Sequence, residues 1–128
     1  MTTQDDARTI CIVDDDDAVR DSLKVLLESY GMQVRDFASP ADFLRGSAAR
    51  ECRCLVVDLH MPAMNGLELL ETLRAREVNV PAVMVTGNAD PNLALRLKNA
   101  GLSALLIKPV ADDELLDHIA LACASPLH

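Results

Sequence analysis

At 128 residues the chain is one domain's worth of protein, and twenty acidic side chains against twelve basic ones give it a formal net charge of −8. Such a surface repels nucleic-acid phosphates and anionic lipid heads, which argues against direct binding of this chain to DNA or to a membrane. Half of the residues are hydrophobic, yet there is no Trp, one Tyr and two Phe, so the core must be aliphatic.

The chain opens on MTTQDDART, a polar, acidic segment without the basic start and apolar centre of an export signal. No apolar run approaches the ~20 residues that span a bilayer, and cytoplasmic residence is expected. The first strand is read at Thr9–Val13 (TICIV), followed at once by four acids in IVDDDDAVRDSL. A helix follows over Ala18–Tyr30, with Val19, Leu23, Leu26, Leu27 and Tyr30 on one face and Gly31 as its stop. Gln33–Phe37 (QVRDF) alternates polar and apolar residues, as an edge strand does. Ser39-Pro40-Ala41-Asp42 supplies a capping serine, a first-turn proline and an early acid, and so starts the second helix.

Cys54–Val57 (CLVV), Ala82–Val85 (AVMV) and Ala104–Ile107 (ALLI) are continuous apolar runs, the mark of strands covered on both faces. Between and after them, helices are expected from about Gly66 to Arg76, from Asp90-Pro91 to Gly101, and from about Asp112 to Ala122. In the fourth helix Leu93 and Leu97 share one face while Leu95 leans to the other, either as a scattered surface residue or as a partner contact. Cys52-x-Cys54 is too tight for zinc spacing and has no histidine pair, so Cys11, Cys52, Cys54 and Cys123 are expected to be buried free thiols. His118 is read as a helix-surface residue and His128 as a frayed terminus.

Strands alternating with helices imply parallel pairing through right-handed crossovers. The expectation is one domain over residues 1–128, with a core from about 9 to 122. Its doubly wound five-stranded parallel sheet would have the order 2-1-3-4-5, with five helices on two faces. Ligands of such sheets sit beyond the carboxyl ends of the strands, at the switch point between the first and third. The strand ends deliver Asp14 and Asp15, then Asp58, then Thr86, then Lys108 followed by Pro109, all to that one crevice. Three adjacent carboxylates call for a counter-charge. Oxygen-only ligands suit Mg²⁺, and Mn²⁺ would also fit. A carboxylate nucleophile, a dication and a fixed ammonium together equip a site for in-line phosphoryl transfer.

Asp14-Asp15, LVVDLHMPAMNG around Asp58, VTG at Val85–Gly87 and Lys108-Pro109, each ending its own strand, resemble the receiver domain of bacterial two-component response regulators. The stretches VDDDDAVRDSL, FASPADFL and VTGNAD resemble most the receivers of nitrogen-fixation regulators, which usually precede a helix-turn-helix output domain. The resemblance implies a flavodoxin-like fold and residue roles. Asp58 is the implied phosphoacceptor, served by a histidine kinase or phosphotransfer protein. Asp15, Asp58 and the His60 backbone carbonyl would bind Mg²⁺ directly, with Asp14 acting through a coordinated water. Lys108 would pair with the phosphoryl oxygens, Pro109 would follow a cis bond, and Thr86 would be the switch hydroxyl.

Asp16 and Asp17 instead begin the first helix, at the positive end of its dipole. Leu105 stands where the family often has Tyr or Phe, and Val110 where it often has Phe, so the aromatic form of the switch is missing. His60 and Asn88 would flank the phosphoryl group, and His60 is expected to modulate its loss. The output surface would be the fourth helix, fifth strand and fifth helix, which could also form a homodimer. Such a chain is no turnover enzyme; it catalyses its own phosphorylation and dephosphorylation. The alternative is a small Mg²⁺-dependent phosphatase with an aspartyl nucleophile, but that class commonly has a second acid where this chain has His60.

Overall fold

A computed structural model describes residues 9–88 and 90–124. The reading of His128 and of most of the opening segment falls outside them. In chain order the elements are β1 (Thr9–Val13), α1 (Asp17–Ser29), β2 (Gln33–Phe37), α2 (Pro40–Arg45), α3 (Ala48–Glu51), β3 (Cys54–Asp58), α4 (Gly66–Ala75), β4 (Ala82–Thr86), α5 (Pro91–Asn99), β5 (Ala104–Ile107) and α6 (Asp112–Ala124). The strands form one parallel sheet in the order β2-β1-β3-β4-β5. The alternating QVRDF strand lies at an edge, half-buried at best.

Strand alternation divides the core in two. Cys11, Val13, Leu55, Val57, Ala82 and Met84 face α2 to α5, against Phe43, Leu70, Leu73 and Leu97. Ile10, Ile12, Cys54, Val56 and Val83 face the other way, against Leu27 of α1 and Leu115, Ile119 and Ala122 of α6. Several helix starts are fixed by local caps. Asp16 caps α1 by accepting from the Ala18 and Val19 amides, and Ser39 caps α2 by accepting from Asp42. Asn65 and Glu68 form a reciprocal capping box on α4.

Three expectations require correction. ALLI is not covered on both faces: β5 is the second edge strand, and Ile107 at its end is 44% exposed. The described residues hold six helices, because Ala48–Glu51 forms one turn that buries Ala48 and Ala49. Four residues are too few to show a helical period, and the extra turn makes the expected fourth and fifth helices α5 and α6. Tyr30 does not share the buried face of α1. It is the C-cap residue and is 61% exposed, because the chain leaves the helix there for Gly31 at φ +84°. Among the described residues, no helix is long and apolar enough to cross a membrane.

Candidate phosphoryl-transfer site

β3 and β4 each extend one residue beyond the apolar run, so Asp58 and Thr86 are terminal strand residues rather than loop residues. Both are thereby buried along with their strands, Asp58 to 8% exposure and Thr86 to 0%. Asp14 follows β1 directly and is 4% exposed, while Asp15 is exposed. Gly66 makes room for this edge. A β-carbon there would lie 2.8 Å from the Asp58 carbonyl oxygen, so α4 can start against β3 only with glycine at that position.

Asp14, Asp15 and Asp58 each offer a carboxylate oxygen within 4.8 Å of the others, an arrangement able to hold a metal ion. Burial raises the Asp14 carboxyl above its ordinary range; the Asp16 amide opposes this, and the Asp58 charge adds to it. Crowding that favours a proton on this group equally favours a dication beside it. The Asp16 amide donates to Asp14 Oδ1 at 2.9 Å, and the His60 amide to Asp58 Oδ1 at 3.2 Å. Lys108 Nζ stands 3.6 Å from Asp58 Oδ2, an ion pair too long to be a strong hydrogen bond. The Lys108–Pro109 peptide is cis. Below the acids, a mostly apolar cavity of about 370 Å³ opens between α1 and α6, lined by Val19, Leu23, Val110 and Leu115.

Thr86 is turned to its own loop. Its hydroxyl donates to the Asn88 carbonyl at 2.9 Å, accepts from the Asn88 amide at 3.2 Å, and lies 3.1 Å from His60 Nε2. A hydroxyl has one hydrogen, so if it is spent on Asn88 then Nε2 is the donor and Nδ1 is left as an acceptor. Sequence reading placed His60 and Asn88 near the site but missed their shared contact with Thr86. The Thr86–Asn88 half is the local turn habit of threonine; the His60 half joins two strand ends and has no local signal. Arg20 was also missed. It donates to the Asp14 carbonyl and to Asp36, both at 3.0 Å, and so ties α1 to the acidic loop and β2. Leu105 is half-buried and packs toward the α2–α5 face, beside Met84 in register.

Five parallel strands in this order, with acids, a hydroxyl and an ammonium at the carboxyl edge, define a class of signalling domain. Residues 10–120 match the response regulator receiver domain, and the chain belongs to that family. Phosphorylation of an aspartate is general to it. The chain is 42% identical over 101 residues to the transcriptional regulatory protein FixJ of Azorhizobium caulinodans, covering 79% of this chain and 48% of FixJ. It is 39% identical over 116 residues to the C4-dicarboxylate transport transcriptional regulatory protein DctR of Rhodobacter capsulatus, covering 89% and 58%. Among solved structures, FixJ-N superposes with a TM-score of 0.83 at 33% identity, covering 100% of this chain and 99% of that one. The chain spans about half the length of the curated relatives it matches.

Proposed function

We propose that the chain is a phosphorylation-controlled switch in which Asp58 takes a phosphoryl group from a histidine kinase or phosphotransfer protein. The observation that carries this reading is the meeting of three carboxylates within 4.8 Å, with the Lys108 ammonium on Asp58. Asp15, Asp58 and the His60 carbonyl would hold Mg²⁺, with Asp14 acting through a water; the donors are all oxygen, as that ion prefers. The bound ion would supply positive charge opposite the phosphoryl oxygens. An Asp58 oxygen attacks phosphorus while the phosphorus–nitrogen bond of the donor histidine breaks, and the released imidazole takes a proton. Lys108 neutralises the equatorial oxygens as charge moves onto them.

Thr86 then has to choose between two sets of partners. Turning toward a phosphoryl group on Asp58 costs its bonds to Asn88 and His60, each worth about 0.5–1.5 kcal/mol net. The resting state is therefore favoured by a few such bonds, a bias that a charged phosphoryl acceptor can overturn. Leu105, in the aromatic position of the family, answers that turn by repacking rather than by swinging a ring.

The surface read out is α5, β5 and α6. Of the large apolar side chains exposed among the described residues, Leu95 (65%), Ile107 (44%) and Leu121 (69%) lie on these three elements. That supports a partner or homodimer contact there. The deciding experiment is incubation with a small phosphodonor and Mg²⁺, read by intact mass, on wild type and Asp58→Asn. Wild type should gain one phosphoryl group and the variant none. Labelling of the variant, or none of wild type, would remove the assignment.

A further inference from the structure

Between α1 and α6 the carboxyl edge of the sheet opens into a cavity of about 370 Å³ for which phosphoryl transfer itself has no need. Strand alternation turns Ile12, Val56 and Val85 toward it, and Val19 and Leu23 of α1 and Leu115 of α6 complete an aliphatic lining. Val110, in the loop before α6, is small enough to leave the space open. The same alternation brings Asp14, beyond Ile12, and Asp58, beyond Val56, to the head of the cavity, where Lys108 and Asp112 also line it. We propose that this cavity binds a small organic amine, its apolar body of about two rings among the aliphatic side chains and its ammonium on the Asp14 and Asp58 carboxylates.

Size and charge select that class. An apolar cavity of about 150 Å³ takes up benzene, so one of about 370 Å³ takes a body about twice as large. An apolar lining with a few convergent polar groups is also the usual make-up of a small-molecule site. Around the head of the cavity stand three carboxylates, Asp14, Asp58 and Asp112, and one ammonium, Lys108, which already faces Asp58 at 3.6 Å. An anionic head would meet that excess of negative charge. A neutral one would leave Asp14 as it is: 4% exposed, accepting from the Asp16 amide, and without an ion-pair partner among the described residues. A cation supplies what that carboxylate lacks, in a setting where water screens little.

A second copy of the chain, itself at −8, would bring like charge to the same opening. An ammonium in this place would occupy the acids proposed above to hold Mg²⁺, and so would oppose phosphorylation. That consequence rests on the switch reading; the binding does not.

The test is titration of the metal-free full chain with naphthylmethylamine, without phosphodonor, in about 0.15 M salt to screen diffuse attraction to the acidic surface. The chain has no Trp and one Tyr, so the naphthyl fluorescence reports binding directly. Saturable one-to-one binding is expected, at least roughly tenfold tighter than that of naphthylmethanol, with none by naphthoate. Asp14→Asn should remove most of the difference between amine and alcohol. Val110→Phe puts a ring into the cavity from a half-buried position. It should weaken amine and alcohol alike by at least roughly tenfold while keeping the native circular dichroism. Equal affinity for amine and alcohol, amine binding that survives Val110→Phe, or no saturable binding would overturn the proposal. Should Val110→Phe fail to fold, the wild-type comparison of the three head groups decides alone. Dimerisation in sedimentation, together with no amine binding, would give the cavity to a second copy instead.

Discussion

The two ends of β3 hold the chain by different means. At its amino end, closure is by direct backbone bonds: the Arg53 amide to the Thr9 carbonyl, and the Leu55 amide to the Pro81 carbonyl, both at 2.8 Å. At its carboxyl end, buried Asp58 has one amide at 3.2 Å and one ammonium at 3.6 Å, beside a second buried carboxylate that it repels. Cys54, Val56 and Asp58 share one face of the strand, so five residues take it from neutral packing to concentrated charge. Buried polarity that is only loosely paired is costly to keep. In this fold it is confined to the edge where incoming charges can complete it, while the rest of the sheet is left to provide stability.

That contrast can be broken from either side. The largest effect on folding should come from Leu70→Ala, which empties a fully buried position on the α2–α5 face. A loss of about 2–5 kcal/mol in urea unfolding is expected, with labelling of the folded fraction unchanged. Lys108→Ala should do the reverse. It should slow phosphoryl incorporation by about 10²-fold, or about 2.7 kcal/mol of transition-state stabilisation, and shift stability by no more than about 0.5 kcal/mol. Gly66→Ala joins the two regions, because its new methyl meets the Asp58 carbonyl at 2.8 Å. It should cost about 1–3 kcal/mol and slow labelling as well. Equal effects of the Leu70 and Lys108 changes on both measurements would dissolve the distinction between the ends.

Much of this molecule was legible in its sequence, and for identifiable reasons. CLVV and AVMV are apolar without alternation because those strands are covered on both faces, and QVRDF alternates at an edge; ALLI is equally apolar yet forms the other edge, with Ile107 44% exposed, so an unbroken apolar run does not by itself mark a central strand. Once strand order is set, each strand end places its next residue at one crevice, so Asp14, Asp58, Thr86 and Lys108 could be grouped without coordinates. What escaped were features of non-local or very short range. α3 is a single turn, and Tyr30 fits the apolar stripe of α1 yet falls where the helix ends. The His60–Thr86 contact joins a loop residue to a strand end through a ring, across a stretch of chain where spacing carries no information.

A smaller effect should appear with Asp14→Asn. The amide oxygen can still accept from the Asp16 amide, while a buried charge that faces Asp58 is removed. Metal-free protein should therefore become more stable, and added Mg²⁺ should raise its melting temperature less than it raises that of wild type. A stability lower than wild type without metal would mean that Asp14 is held by attraction rather than against repulsion.

The smallest predicted change is the most informative about switching. His60→Ala removes one of the bonds that keep the Thr86 hydroxyl turned away from Asp58. A neutral bond of about 0.5–1.4 kcal/mol corresponds to a two- to tenfold shift toward the inward conformer. A fluoroberyllate mimic of the phosphoryl group should then bind about two- to tenfold tighter, because apparent affinity scales with the competent fraction. The phosphoryl half-life should move as well, since the ring stands at the mouth of the site. His60→Gln can still reach a hydroxyl and should stay nearer wild type. If His60→Ala left both the mimic's affinity and the half-life unchanged, the Thr86–His60 contact would be incidental, and the outward state of the hydroxyl would rest on Asn88 alone.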